Sequence, residues 1–230
     1  MLAFLVGCGS VASQRENAEG VRLYQQARYS EALRHFQEAT YIDPSNPDAY
    51  YNLASTYHRI GAAAGRMGEL EKAEKYYNMC LDYDPNHEHV ACYRGLARLL
   101  AEQGRRDEAM RLLEGWGDLR PELADAKIEL ARIHEELGDN LMAKEHLSEA
   151  LVLDPRNARA LTAMGKIRED MGEVDEALRN YQRSLASDHS QPQVAARVAA
   201  LRSATSGQRP VLNSGSSATR LVDRPTRRLR

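Results

Sequence analysis

Hydrophobic residues recur at helical spacing in a unit that repeats along the 230-residue chain. In the first unit, Ala32, Phe36 and Ala39 are separated by four and three residues, so they share one face of a helix. The same small, large, small order returns in the later units as Ala73-Tyr77-Cys80, Ala109-Leu113, Ala143-Leu147-Ala150 and Ala177-Tyr181-Ser184. The pattern predicts a series of amphipathic helices, each with one buried face.

Prolines and glycines mark the ends of these predicted helices. Four prolines follow the helical runs at intervals of 41, 36 and 34 residues, namely Pro44, Pro85, Pro121 and Pro155. Proline lacks a backbone N–H and crowds the preceding turn, so a helix must end before it. Three glycines stand where the two helices of a unit would be joined, namely Gly104, Gly138 and Gly172. The spacing of these prolines and glycines predicts helical hairpins, each of which covers an apolar face of its neighbour.

Two stretches identify the type of repeat. Tyr50-x2-Leu53-Ala54-x2-Tyr57 and Leu161-x2-Met164-Gly165 have the first-helix pattern of the tetratricopeptide repeat family, which the chain resembles over residues 13–203. The resemblance implies an all-α solenoid of about five helix-turn-helix hairpins and a C-terminal capping helix at about residues 192–203. We expect the five hairpins at residues 13–46, 47–87, 90–123, 124–157 and 158–191.

The second unit is longer than the others. Its interval of 41 residues exceeds 34 by seven, and the extra residues lie around positions 61–68. Seven residues are about two helical turns, so a helix can lengthen by them and keep the same side toward the core. Two interpretations stay open: a longer hairpin tip, or a lip that contacts a partner. The uncharged side chains of such a lip would be Ala62, Ala63, Ala64 and Met67.

The third unit has Trp116 where other units have a small residue, and Gly115 and Gly117 flank it. Each glycine weakens a helix by about 1 kcal/mol relative to alanine, and together they let the backbone move aside for the indole. We expect Trp116 to pack in the core, with a ligand platform as the alternative.

The start of the chain has a lipidation motif. Leu5-Val-Gly-Cys8 fits the bacterial lipobox, in which the cysteine is lipidated, so we predict lipidation at Cys8 and assign residues 1–12 to a signal and lipobox stub. The chain thereby resembles bacterial tetratricopeptide lipoproteins, including those of pilus biogenesis and outer-membrane assembly. This implies a bacterial cell envelope location, lipid-anchored on the periplasmic side. The motif lacks a basic segment before it, which a start codon upstream of Met1 would supply. The alternative is a cytoplasmic adaptor with an unprocessed apolar N-terminus.

Charge divides the chain into two parts. Residues 204–230 contain six arginines against one aspartate, so they carry +5, which leaves −7 for the rest of a chain whose total is −2. Serine, threonine, glycine and proline dominate between these arginines, so we expect a disordered basic tail at 204–230. The acidic body makes nucleic acid an unexpected partner, although the tail itself is basic.

The chemistry-bearing residues form no recognisable catalytic motif. His87-Glu-His89 followed by Cys92 is the most metal-like cluster, but no second cysteine pair accompanies it and its spacing is not that of a zinc site. A phosphate-binding glycine loop and a Gly-x-Ser-x-Gly elbow are both absent from the sequence. We therefore expect no enzyme activity, no metal and no cofactor. We expect Cys80 and Cys92 to be small buried hydrophobes, and a bridge between them stays open.

Basic residues recur in the first helix of successive units. In stacked hairpins the first helices line the concave face, so equivalent positions form a ladder. The ninth position of each unit reads Val21, Ser55, Arg98, Arg132 and Lys166, and Arg94 precedes Arg98 by one turn. The predicted peptide-groove residues are Asn52, Arg94, Arg98, Arg132 and Lys166. Arginine holds carboxylates with two hydrogen bonds, so the predicted partner is a protein or peptide segment, possibly acidic.

Two alternatives to this groove stay open, and one known binding mode of the family is not carried over. We expect the pairs Arg132–Glu136 and Lys166–Asp170, and they would leave a solvated, self-paired face if no partner binds. Some family members clamp a terminal carboxylate with lysine and asparagine, and Asn17 and Asn52 are available here. The matching lysine is missing, so that clamp is not carried over. The chain could also be a regulatory or recognition subunit of an enzyme complex.

Overall fold

The computed structural model describes residues 3–208, and it describes the side chains of residues 11–204. Within this part the chain forms eleven α-helices and no strand. The helices are α1 (Ala3–Gln25), α2 (Tyr29–Ile42), α3 (Pro47–Ala64), α4 (Met67–Asp82), α5 (Val90–Glu102), α6 (Arg106–Leu119), α7 (Ala124–Glu136), α8 (Asn140–Leu153), α9 (Ala158–Asp170), α10 (Val174–Ser187) and α11 (Pro192–Gln208).

The helices pair in chain order and stack in one direction. The pairs α1/α2, α3/α4, α5/α6, α7/α8 and α9/α10 are antiparallel hairpins, and α11 packs against α10. Each second helix contacts the first helix of the next hairpin, and the first helices α1, α3, α5, α7 and α9 also contact one another in succession. The all-α solenoid of five hairpins with a closing helix, predicted from the repeat, is confirmed within residues 3–208.

Asparagine, proline and glycine residues stand at the ends of the helices. The side chains of Asn46 and Asn157 cap α3 and α9, because each accepts a hydrogen bond from a backbone N–H three residues later. Pro47 occupies the first turn of α3, where its missing N–H costs nothing. The three predicted turn glycines have positive φ angles of 79°, 77° and 80°, which only glycine adopts readily. These glycines are Gly104, Gly138 and Gly172.

Glycine in a first helix also lets an aromatic ring of a second helix approach closely. A Cβ added to Gly165 would lie 2.6 Å from the ring of Tyr181, and one added to Gly95 would lie 2.4 Å from the ring of Tyr77. The first contact joins the two helices of one hairpin, and the second joins neighbouring hairpins. The aromatic residue of the repeat therefore fills space that a side chain on the facing helix would occupy.

The buried residues form one large core and two smaller ones. The large core extends from α1 to α7 and is rich in aromatic residues, whereas the second, from α7 to α9, consists of Ala, Leu, Ile and Met. A third lies between α10 and α11. Helix α7 contributes to two cores, because Ala126, Leu130 and Ile133 face the first while Ile128 and Ala131 face the second.

The longer second hairpin divides its extra residues between both helices. Together α3 and α4 have 34 residues, whereas α5 and α6 have 27, so the difference equals the seven predicted from the sequence. Five of the seven extend α3 and two extend α4. The hairpin tip, residues 62–68, is exposed, and Met67 at its turn is 60 % exposed.

Trp116 packs in the core, which is the first of the two interpretations of its position. It is 1 % exposed, its ring stacks on Tyr93 at 4.5 Å between centroids, and its Nε1–H donates to the carbonyl oxygen of His87 at 3.1 Å. A Cβ on Gly115 would meet nothing within 4 Å, so this glycine does not mark a close contact.

Helices α1 and α11 run into the segments assigned to the stub and to the basic tail, and that assignment remains a prediction. Helix α1 begins at Ala3, inside the stub assigned to residues 1–12, because no proline interrupts residues 3–25. Helix α11 continues to Gln208, beyond the predicted end at 203, because the next proline is Pro210. The backbone of Cys8 lies in α1, while its side chain and residues 209–230 lie outside the described residues. In the described part, no helix combines the length and apolar character that a membrane crossing requires.

A disulfide joins the last turn of α4 to the first turn of α5. It connects Cys80 and Cys92, whose Cα atoms are 6.3 Å apart and which are both fully buried. The bridge that the sequence left open is therefore present in the structure. It ties the second hairpin to the third through two cysteines that are 12 residues apart in the sequence.

Candidate functional site

A groove follows the concave face that the first helices form. A cavity of about 880 Å³ lies in it, lined by residues of α1, α3, α5, α7 and α9. Two aromatic residues of the second helices, Phe36 and Tyr77, form part of its floor. A second cavity of about 330 Å³ adjoins the first along α7 and α9, and three residues line both, namely Glu129, Arg132 and Arg159. The two cavities therefore form one continuous concave surface.

The structure brings all five predicted groove residues onto this surface. Four of them line the larger cavity, namely Asn52, Arg94, Arg98 and Arg132. Lys166 lines the smaller one, and Arg132 lines both. The five residues belong to α3, α5, α7 and α9, so the predicted ladder follows the groove from the second hairpin to the fifth. Their role in binding a partner remains a prediction.

A buried carboxylate lies where the two cavities meet. Glu129 is 4 % exposed, and its Oε1 accepts a hydrogen bond from Arg94 Nε at 3.0 Å. Its Oε2 accepts from Arg132 Nε at 3.1 Å, and Arg159 forms a further ion pair with it. A charge removed from water needs such partners, because desolvation alone would cost several kcal/mol. Glu129 therefore holds three guanidinium groups in fixed positions along the groove.

The arginines outnumber the carboxylates around the larger cavity. Five arginines line it against two glutamates, Glu102 and Glu129. The arginines are Arg59, Arg94, Arg98, Arg132 and Arg159. Among residues 11–204 Arg59 has no carboxylate within ion-pair distance, and Arg98 is 3.4 Å from Glu102 with both side chains about half exposed. Arg132 also pairs with Glu136 and Arg159 with Asp125, so Arg59 is the arginine of this groove that no carboxylate of residues 11–204 balances.

One of the two predicted ion pairs within α7 and α9 is wrong. Arg132 pairs with Glu136 as predicted, and also with Glu129. Lys166 instead pairs with Glu135 of the preceding hairpin, so the prediction of Asp170 as its partner is incorrect. Spacing within one helix cannot show a carboxylate that a neighbouring helix supplies. The hydrogen bond to Glu135 raises the pKa of Lys166 above its ordinary range, so the ammonium is held in its charged form.

Aromatic rings line the end of the groove near the first two hairpins. Tyr24, Tyr51 and Tyr77 border the larger cavity, and burial raises the pKa of Tyr24 and of Tyr77 above the ordinary value, so both stay neutral. His58 lies beneath them, 2 % exposed, with its Nε2 2.8 Å from Glu102 Oε2. This end therefore combines apolar ring surface with hydroxyl groups.

Asn52 is itself held in place. Its Nδ2 donates to Asn17 Oδ1 at 2.8 Å, and its side chain lines the larger cavity. An asparagine in such a position can accept a hydrogen bond from a backbone N–H of an extended segment.

The sequence did not identify Arg59, Glu129 and Arg159 as groove residues. Arg59 lies four residues after Ser55 of the predicted ladder, so one helical turn separates the two. Arg159 precedes Lys166 by seven residues, which is two turns on the same face. Glu129 is a charged residue within the apolar run 128–131 and three before Arg132. A search of one or two turns either side of the ladder would have included all three.

Family models match most of the described solenoid. A model described as "TPR repeat" matches residues 20–61, and two described as "Tetratricopeptide repeat" match residues 52–114 and 128–192. Together they cover residues 20–114 and 128–192, which is more than half of the chain.

Solved structures have the same architecture at low sequence identity. The crystal structure of TTC0263, a thermophilic TPR protein of Thermus thermophilus, superposes with a TM-score of 0.65 at 24 % identity, over 83 % of this chain and 99 % of that one. The Pseudomonas aeruginosa protein PilF superposes with a TM-score of 0.61 at 20 % identity, over 86 % and 89 % of the two chains. These likenesses show the fold alone.

A human relative matches through part of its length. The protein O-mannosyl-transferase TMTC3 of Homo sapiens is 28 % identical over 181 residues, which are 74 % of this chain and 19 % of that protein. The chain spans less than a fifth of the length of the curated relatives that it matches first.

Proposed function

Because the chain belongs to the tetratricopeptide repeat family, we propose that it is a non-enzymatic interaction scaffold whose concave groove holds an extended acidic segment of a partner protein. The observation that carries this proposal is the cluster of five arginines in the larger cavity, of which Arg59 has no carboxylate partner among residues 11–204 and Arg98 has only a half-exposed one at 3.4 Å. The transferase activity in the name of the human relative is not carried over, because the match covers 19 % of that protein.

The arrangement of the arginines suits carboxylates that are spaced along an extended chain. Glu129 fixes three guanidinium groups, so their positions are set before a partner arrives and less side-chain entropy is lost on binding. Arg94 donates to Glu129 through Nε, so its Nη groups remain for a second carboxylate, whereas Arg132 and Arg159 already donate to Glu136 and Asp125 as well. A partner with acidic side chains at intervals along its backbone would meet these arginines in succession.

The shape of the groove favours an extended segment over a helix or a small molecule. The ladder runs from Asn52 in α3 to Lys166 in α9, so the contacts are distributed along successive hairpins. The tyrosine-lined end offers apolar surface for one or two uncharged side chains of the same segment. The side chain of Asn52 can accept a hydrogen bond from a backbone N–H of that segment. We propose that the exposed tip at residues 62–68 acts as a lip at this end, because Ala62 also lines the cavity.

A charge-reversal pair tests the groove. We expect Arg98→Glu with Arg132→Glu to weaken binding of a fluorescent peptide rich in Asp and Glu by tenfold or more. Each lost contact is worth about 0.5–1 kcal/mol and reversal adds repulsion, while about 1.4 kcal/mol corresponds to tenfold. Fluorescence anisotropy measures the affinity, and circular dichroism checks that helicity is unchanged.

The matched control changes the same net charge elsewhere. Arg34→Glu with Arg179→Glu reverses two exposed arginines of the second helices α2 and α10, neither of which lines a cavity. This control should bind the peptide almost as the unmodified chain does. Equal weakening by both pairs would show that only overall charge matters, and unchanged binding by the Arg98 and Arg132 pair would remove the groove proposal.

We further propose a location, on different grounds. Leu5-Val-Gly-Cys8 supports lipidation of Cys8 and attachment to a bacterial cell envelope, on the periplasmic side, with the repeats projecting from the membrane. Several acyl chains on one residue would hold the protein firmly, whereas a single chain binds only marginally. The alternatives are a cytoplasmic adaptor and a recognition subunit of an enzyme complex. Co-purification with an active enzyme would support the second of these.

Intact mass and membrane fractionation in the native host test the anchor. The full-length protein should gain the mass of a diacylglyceryl group and sediment with membranes, and Cys8→Ser should abolish both. An unmodified protein in the soluble fraction would contradict the anchor and favour the cytoplasmic adaptor, without affecting the groove proposal.

A further inference from the structure

A second group of chemically capable side chains lies away from the groove arginines, at the junction of the second and third hairpins. The two sulfur atoms of Cys80 and Cys92 and a ring nitrogen of His89 all lie within 4.8 Å of one another. Cys80 comes from the last turn of α4, His89 immediately precedes α5, and Cys92 lies in the first turn of α5. His87, the other member of the sequence cluster, is directed elsewhere, with its Nδ1 2.8 Å from the hydroxyl of Tyr93.

The orientation of His89 is fixed by a carboxylate. Its Nε2 lies 2.9 Å from Asp48 Oδ1, and an ionised carboxylate can only accept, so Nε2 carries the ring hydrogen. Nδ1 of the neutral ring therefore has a free lone pair. This atom is buried and has no hydrogen-bond partner among the residues whose side chains are described. A buried nitrogen without a partner costs free energy unless something occupies it.

We propose that the reduced chain holds one thiophilic metal ion, Zn²⁺ or Cu⁺, between the thiolates of Cys80 and Cys92 and the Nδ1 atom of His89. Thiolate and imidazole are the donors that both ions prefer. With metal–sulfur bonds of about 2.3 Å the two sulfurs would stand about 3.8 Å apart, which side-chain rotation at a Cα separation of 6.3 Å permits. Asp48 then completes a carboxylate–histidine–metal series of the kind that orients metal-binding imidazoles.

The disulfide and the metal site are alternative states of the same atoms. A dithiol reductant transfers two electrons and two protons to the bridge, so the S–S bond breaks, two thiols form and the reductant becomes a disulfide. Binding of the ion then releases the two thiol protons to solvent. The side chain of Asp48 is 71 % exposed and that of His89 is 15 % exposed, so the cluster lies directly beneath a solvated carboxylate.

Competition titration measures the site on the full-length chain carrying Cys8→Ser, so that Cys80 and Cys92 are the remaining thiols. The protein is reduced, freed of reductant without oxygen, and titrated with Zn²⁺ or Cu⁺ against a chromophoric chelator. We expect one ion per chain in the reduced form and none in the oxidised form. Tight binding of Zn²⁺ alone would identify zinc, and tight binding of Cu⁺ alone would identify copper.

Three single substitutions locate the ion. Asp48→Asn should lower the affinity by about 10–100-fold, as loss of an outer-shell carboxylate does elsewhere, and His89→Gln by more. His87→Gln is the matched control and should bind as the parent chain does. Asp48 is exposed, so its variant remains informative if His89→Gln fails to fold by circular dichroism.

Two results would overturn the proposal. One is the absence of stoichiometric binding of either ion by the folded, reduced chain. The other is an affinity that Asp48→Asn and His89→Gln leave unchanged, because the ion would then be bound by other residues.

Discussion

The first three hairpins and the last two have the same backbone pattern but different interiors. The first core contains Phe36, Tyr50, Tyr57, Tyr77, Tyr93 and Trp116, whereas the core between α7 and α9 is aliphatic. The larger cavity of about 880 Å³ lies mainly along the first three hairpins, and the smaller one of about 330 Å³ lies along the last two. Residue size at equivalent positions therefore changes the groove while the hairpins stay the same.

The two regions also differ in how their cations are balanced. Toward the end of the solenoid Lys166 pairs with Glu135, and Arg197 of α11 pairs with Glu169. Around the larger cavity Arg59 has no carboxylate partner among residues 11–204, and Arg98 is only loosely paired. Of the basic residues predicted for the groove, Arg98 therefore stays largely available, whereas Arg94, Arg132 and Lys166 form internal ion pairs.

Removal of the largest aromatic residue should have the strongest effect on the first region. Trp116→Ala restores the small residue of the repeat but leaves a cavity beside Tyr93, so it should lower the free energy of unfolding by about 3–5 kcal/mol. Urea denaturation followed by circular dichroism at the helix band measures this. In the aliphatic region Leu147→Ala should cost about 2–5 kcal/mol. A cost below about 1 kcal/mol for Trp116→Ala would contradict the role of the indole in the aromatic core.

Most of the fold could be predicted from the sequence, because the repeat fixes it redundantly. Each hairpin carries its own small-large-small face and its own turn glycine or proline, so the five units agree with one another. The outer ends of α1 and α11 could not be placed, since each of these helices has a neighbouring hairpin on one side only.

The groove could be predicted only in part. The ladder of Arg94, Arg98 and Arg132 follows from position in the repeat, which is local information. The partner of Lys166 and the buried Glu129 depend on side chains of neighbouring helices, which spacing along one helix does not report. For the same reason His89 and Cys80 were not linked, because they meet only when α4 and α5 pack.

Two glycines, one in each region, should respond in opposite directions to the same substitution. Gly165→Ala forces a Cβ into the ring of Tyr181, and such overpacking should cost about 1–3 kcal/mol. Gly115→Ala lies in an exposed helix interior with open space, so it should stabilise the chain by about 1 kcal/mol. Thermal and urea unfolding give both values. The same sign for the two substitutions would argue against the close contact at Gly165.

The charge-balanced half should respond least. Lys166→Gln removes an exposed ion pair with Glu135, so it should cost about 1 kcal/mol or less. Because the pKa of Lys166 is raised in the folded chain, this contribution is present below the ordinary value of 10.5 and is lost as pH rises through the raised pKa. Unfolding of both chains between neutral and strongly alkaline pH measures the difference. A difference that grows with pH would contradict the pairing.

Photo-cross-linking of an acidic peptide shows directly which face of the solenoid binds it. A photoreactive group is placed at the centre of an Asp- and Glu-rich peptide, and the attached residues are identified by mass spectrometry. We expect attachment to α3, α5 and α7 along the larger cavity, and little attachment when the peptide's acids are replaced by their amides. Attachment to the outer faces of α4, α6 and α8, or equal attachment by the amide peptide, would contradict a groove that selects acidic segments.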